Sequence, residues 1–197
     1  MTISVKRQLC NVMKDMYNKQ FISLYDGNVS FYKGGSNSFY ITQGSVKKNN
    51  LNSNHIIDVP FSENLDTIPN ISRESLFHKL IICQHRELNH LQDVVVLHSH
   101  PIYTTSFMGL ERNKCQLNML YHYFPELKQR VHIGKNVSHT CLPGTLSLAE
   151  DISKNILNHD MVGLENHGIV CVGESVEEVW DKTQIIEYHA KMFGVQN

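Results

Sequence analysis

At 197 residues, with 41% hydrophobic and 19% charged residues, the chain has the composition of a folded globular protein with room for a substantial core, which excludes wholesale disorder. A formal net charge of −1 leaves no bulk electrostatic drive toward nucleic acid or an anionic membrane. The N-terminal stretch MTISVKRQLCNVMKDMY lacks an apolar signal region, and no apolar run is long enough to span a bilayer, so a soluble, cytoplasmic, single-domain protein over 1–197 is expected.

The five cysteines, Cys10, Cys83, Cys115, Cys141 and Cys171, are odd in number and show no Cys-x-x-Cys spacing. Neither a disulfide framework nor a zinc knuckle is indicated, and reduced thiols are the simplest reading. Twelve histidines are many for this length, and histidine is the commonest metal ligand.

In chain order, residues 3–20 predict an amphipathic helix, with Leu9, Val12, Met13, Met16 and Tyr17 on one face. Two β-rich runs, 26–32 and 38–42, flank a Gly34-Gly35 turn and predict a hairpin. Gly27-Asn28 and Gln43-Gly44-Ser45 fall at the same end of that hairpin, where N–H and amide donors can face an anion. Alone this signal is weak, and turn chemistry is the commoner reason for such residues. Residues 46–71 are polar and asparagine-rich, a surface connection with one short strand at 56–59. A helix should then start with Ser72 as its N-cap and present Leu76, Leu80 and Cys83, flanked by Phe77 and Ile81. Glu74 in its first turn would favour the positive end of the helix dipole.

Val94-Val95-Val96-Leu97 reads as a buried strand ending in His98-Ser99-His100-Pro101. Positions i and i+2 of a strand share a face, so both imidazoles should project together where Pro101 ends the pairing. One or two helices are expected over 101–124, and a strand near Val131-His132-Ile133. Pro143-Gly144-Thr145 should introduce a helix whose apolar side carries Leu146, Ala149, Ile152, Ile156 and Leu157. Residues 161–173 predict two buried strands around a tight Asn166-His167-Gly168 turn. A final helix over 175–193, capped by Ser175 and stopped by Gly194, closes the chain. Strands at both ends with helices between them indicate an α+β or layered α/β/α domain.

The strongest chemical combination is His98, His100 and His167 as three imidazole ligands, which with one open position is the pattern of a catalytic zinc site. Spacing alone leaves this open, because a polar strand end can also carry unpaired histidines.

The ordered set Gly27-Asn28-Val29-Ser30, Ser72-Arg73-Glu74 with His78, His98-Ser99-His100, Pro143-Gly144-Thr145 with Leu148-Ala149-Glu150, and Asn166-His167-Gly168 with Gly173 resembles the class II aldolase/adducin family over about residues 5–193. The resemblance implies a three-layer α/β/α fold with a central, mostly antiparallel sheet, assembled as a homotetramer. It implies zinc or another divalent ion on His98, His100 and His167, and Glu74 as the acid/base. It implies Gly27, Asn28, Gly44, Ser45, Ser72 and Arg73 around the phosphate of a small sugar substrate. The activity so implied is that of a metal-dependent aldolase, a lyase that cleaves or forms a C–C bond in a phosphorylated ketose through a metal-stabilised enediolate. A sugar-phosphate 4-epimerase, a methylthioribulose-phosphate dehydratase and a non-enzymatic adducin-like assembly module are the alternatives on this scaffold. Glu74 favours the aldolase over the epimerase, where aspartate is more usual. His122 near the dehydratase acid/base position argues against the dehydratase, and the three histidines argue against the assembly module. Two features depart from the family pattern: Gln43-Gly44-Ser45 stands where Pro-Ser/Thr-Gly is common, and Arg73 where serine is common. The family's distal tyrosine has only Tyr121 and Tyr123 as candidates.

Overall fold

The computed structural model describes residues 2–109, 116–138 and 144–196. Pro143, Cys115 and Cys141, with the expectations attached to them, lie outside the described residues. The elements in order are α1 (Thr2–Asn18), β1 (Asn28–Tyr32), β2 (Ser38–Thr42), β3 (Ile56–Pro60), α2 (Ser75–Leu88), β4 (Val94–Ser99), α3 (Ile102–Met108), α4 (Leu120–Tyr123), α5 (Leu127–Arg130), α6 (Leu146–Ile156), β5 (Met161–Leu164), β6 (Gly168–Gly173) and α7 (Val176–Gln196).

The six strands form one sheet in the order β3-β2-β1-β4-β6-β5, with every neighbouring pair antiparallel. β4 lies inside the sheet between β1 and β6 and is buried along its whole length, which is why it reads as an unbroken apolar run. Side chains alternate faces with period two. Val95 and Leu97 join Val29, Phe31, Ile169 and Cys171 in a core shared with α1, α3 and α7. Val94 and Val96 join Val170, Val172, Phe77, Ile81 and Ile152 in a second core against α2 and α6. Helices therefore cover both faces, giving the expected three-layer α/β/α arrangement around an antiparallel sheet.

Several local expectations need correction. α2 begins at Ser75, because Ser72 closes a tight turn: its carbonyl accepts from Ser75 N–H at 3.0 Å and its hydroxyl accepts from Glu74 N–H at 3.3 Å. Glu74 is thereby the N-cap residue and makes no side-chain cap bond. The buried face of α2 carries Phe77, His78, Ile81 and Ile82, whereas Leu76, Leu80 and Cys83 are only half-buried at its margin. On α6, capped by Thr145, Leu148 takes the buried place and Leu146 is exposed. α7 runs through Gly194 to Gln196, since glycine weakens a helix by about 1 kcal/mol and does not end one that is packed on its neighbours. Phe193, just before that glycine, meets Phe107 and Tyr123 edge-on. Near Val131-His132-Ile133 there is no strand but a single parallel bridge, Ile133 to Met161, on the β5 edge. Among the described residues, no helix is long and apolar enough to cross a membrane.

Candidate metal and anion site

The ends of β4 and of the β5–β6 hairpin bring three histidines together. His98, wholly buried on β4, has its Nδ1 2.9 Å from the Ile169 carbonyl. A carbonyl can only accept, so Nδ1 carries the proton and Nε2 presents a lone pair. Phe77 packs edge-on against the same ring. His100 lies one residue beyond the strand, held by its N–H to Phe21 O at 2.8 Å. His167 sits in the β5–β6 turn, where Asn166 takes a left-handed φ of 56°. Gly168 lets this hairpin close onto β4: a Cβ there would lie 2.2 Å from Ser99 O and 2.8 Å from His100 Cδ2.

The three ring centroids are 4.7–4.9 Å apart, and one ligand atom from each ring lies within 4.8 Å of the others. Burial, and then the neighbouring imidazoles, lower the pKa of both His98 and His100 to about 3, so both are neutral donors at physiological pH. The Nε2 atoms of His98 and His100 are 2.9 Å apart. Tetrahedral zinc with bonds of about 2.0–2.1 Å needs about 3.3 Å between ligand nitrogens, a few tenths of an ångström more. Glu74 closes the fourth side, with Oε2 3.3 Å from His98 Nε2 and Oε1 3.5 Å from His167 Nε2. A carboxylate facing a lone pair is not an ion pair. Two acceptors, the His98 lone pair and a Glu74 oxygen, face each other there, which an intervening cation would relieve. The residues present therefore fit a divalent ion of borderline softness.

The Glu74 side chain is held from behind. Asn28, opposite His98 in the β1–β4 register, donates its amide to Glu74 Oε2 at 2.8 Å and to Ser72 Oγ at 3.2 Å. Its carbonyl accepts from Nε2 of the buried His78, whose Nδ1 accepts from Ser30 Oγ at 2.7 Å. Burial, followed by His98 nearby, holds the His78 pKa well below its ordinary value, so this chain of bonds runs through a neutral imidazole.

A cavity of about 470 Å³ opens beside the cluster and is lined by Glu74, His100 and His167. All six residues expected around an anion, Gly27, Asn28, Gly44, Ser45, Ser72 and Arg73, also line it. Gly27 is obligatory here: it has φ +70, and a Cβ would press 2.6 Å from Ile22 and 3.0 Å from His98 O. The backbone N–H of Gly44 is committed to Asn70 O at 2.9 Å, so Gly44 contributes shape rather than a free donor. Neither tyrosine candidate lines this cavity. The Tyr121 hydroxyl donates to Val131 O at 2.6 Å and accepts from Ile133 N–H at 2.7 Å, while Tyr123 is 53% exposed.

Sequence reasoning missed two charged residues in the cavity wall, Asp26 and Lys48. Lys48 falls in a run that reads as solvated, Lys47-Lys48-Asn49-Asn50, yet it is 1% exposed. A 3₁₀ turn over Lys48–Asn50, tied by Lys48 N–H to Leu24 O at 2.8 Å, folds it inward. No residue pattern signals that burial.

A family model described as the class II aldolase and adducin N-terminal domain matches residues 7–193. The chain belongs to this family. Among curated proteins it is 28% identical over 190 residues to an L-fuculose phosphate aldolase of Methanococcus maripaludis, covering 96% of this chain and 94% of that protein. It is also 29% identical over 123 residues to a 3-oxo-tetronate 4-phosphate decarboxylase of Haemophilus influenzae, covering 62% of this chain and 55% of that protein. Among solved structures, the L-fuculose-1-phosphate aldolase of Thermus thermophilus superposes with a TM-score of 0.77 at 17% identity, covering 98% of this chain and 93% of that one. At that identity the likeness speaks for the fold alone.

Proposed function

We propose that this family member is a divalent-metal-dependent aldolase that cleaves or forms a C–C bond in a phosphorylated ketose. The observation that carries the reading is the convergence of three imidazoles and one carboxylate at the mouth of a single cavity. In this reading His98, His100 and His167 hold zinc or a similar ion. When bound, the ion supplies Lewis-acid stabilisation for the negative charge left on one fragment as the bond breaks. Glu74 takes the proton of the substrate hydroxyl whose carbon becomes the departing aldehyde, and returns a proton to the carbon that keeps the bonding pair. Asn28 and Ser72 orient that carboxylate. Arg73, with the Gly27, Ser45 and Ser72 wall, anchors the phosphate at the far end of the cavity and so fixes the reacting bond over the histidines. The fuculose-phosphate aldolase relatives along almost the whole chain support this substrate class. A homotetrameric, cytoplasmic enzyme with one domain per chain belongs to the same proposal.

The likeness to the H. influenzae decarboxylase favours one second reading. Loss of carbon dioxide from a β-keto acid phosphate also breaks a C–C bond and leaves the pair on carbon, so the same residues would serve. The products separate the two. Metal-loaded protein should release dihydroxyacetone phosphate from fuculose or rhamnulose 1-phosphate, and a chelator should abolish it. If neither these sugars nor ribulose 5-phosphate is cleaved while metal stays bound, the aldolase reading fails.

A further inference from the structure

Among the described residues, Lys48 is the one buried cation in the cavity wall, and the residue roles above leave it without a task. Lysine is almost never fully buried unless paired. Its ammonium has three N–H donors, and one of them goes to Gln43 O at 3.1 Å. Among the described residues it makes no ion pair within 4.0 Å, although Asp26 and Glu74 act on it through space. Both of those carboxylates already have closer partners: Asp26 accepts from Ser23 Oγ, and Glu74 accepts from Asn28. Burial lowers the Lys48 pKa to about 8, and the two carboxylates oppose that fall, so the side chain is still mostly charged at neutral pH. Arg73, exposed in the same cavity, likewise makes no ion pair among the described residues.

We infer that Lys48 is the charged anchor of the anion subsite, donating to the phosphate monoester of the substrate opposite Arg73. This rests on the aldolase reading and deepens it. The cavity also holds two carboxylates, so a phosphate dianion entering beside them meets repulsion that neutral hairpin-end donors cannot offset. With Arg73, the Lys48 ammonium balances those two carboxylates. Its unused donors match the acceptor oxygens of a phosphate, and its anchoring to Gln43 O fixes the ammonium before the substrate arrives. Lys48 is thus a binding and specificity residue, not part of the proton transfer.

The test is calorimetric titration of inorganic phosphate into metal-loaded protein. Lys48→Met keeps the apolar stem and should weaken phosphate binding roughly ten- to hundredfold, the share of a charge-assisted bond. Lys48→Arg should lose less, and metal content should match wild type in both. Equal phosphate affinity in wild type and Lys48→Met overturns the assignment of Lys48 alone. No phosphate binding by the metal-loaded wild type overturns it together with the phosphate half of the aldolase reading. Should Lys48→Met fail to fold, the lysine ammonium resonance that disappears in Lys48→Arg serves instead. In wild type it should shift on phosphate addition, and an unmoved resonance at saturating phosphate overturns the inference.

Discussion

His167→Ala should yield a folded protein that no longer retains a divalent ion. The ring sits in a tight turn with 23% of its side chain exposed and belongs to neither hydrophobic core, so truncation opens no cavity there. The hairpin is held by the β5–β6 ladder and by Gly168 against β4, none of which needs the imidazole. What is lost is one of three imidazole nitrogen ligands. Loss of a mere outer partner of a ligand typically costs about 10–100-fold in metal affinity, and removal of a ligand itself should cost at least that much. Metal per chain, measured by atomic emission after gel filtration, should fall from about one equivalent to a small fraction, while the circular dichroism spectrum stays unchanged. Full retention of metal would remove His167 from the cluster.

Glu74→Gln should separate chemistry from metal binding. The substitution is isosteric, and its amide oxygen can still accept from Asn28, so the bonds through Asn28 to Ser72, His78 and Ser30 survive. The three imidazoles are untouched. An amide cannot take and return a proton, however, and a positioned general base is worth roughly 10²–10⁴ in rate. kcat should fall by about that factor, with metal content equal to wild type and unfolding midpoint little changed. An unchanged kcat would exclude Glu74 from the proton transfer.

How much of this is legible in the sequence follows from what each signal depends on. The His98–His100 pair can be read because strand periodicity and an apolar run are local properties, and the structure returns both rings to one site. His167 joins them in the sequence only as a combination of residue types, since the contact depends on the pairing of β4 with β6, far apart along the chain. Glu74 carries two competing readings, a helix-dipole partner and an acid/base. The turn at Ser72 bears on that choice by moving the helix start to Ser75 and leaving the carboxylate outside the first turn. Gly44 does line the cavity wall but is not a free donor, because its partner Asn70 belongs to a connection with no periodicity. Lys48 is invisible for the same reason. Its burial is set by contacts across the chain, and a lysine in a polar run carries no local mark of them. The apolar face of α2 is displaced in the sequence reading because Leu76 and Leu80 share the pattern of Phe77 and Ile81, and only packing on the sheet tells them apart.

The most direct test of the central claim is anomalous diffraction from crystals of the metal-loaded protein, collected on either side of the metal absorption edge. A single peak bounded by His98, His100 and His167, with Glu74 beside it, is the predicted result. A peak elsewhere, or metal-loaded crystals with no peak among these three rings, would contradict it.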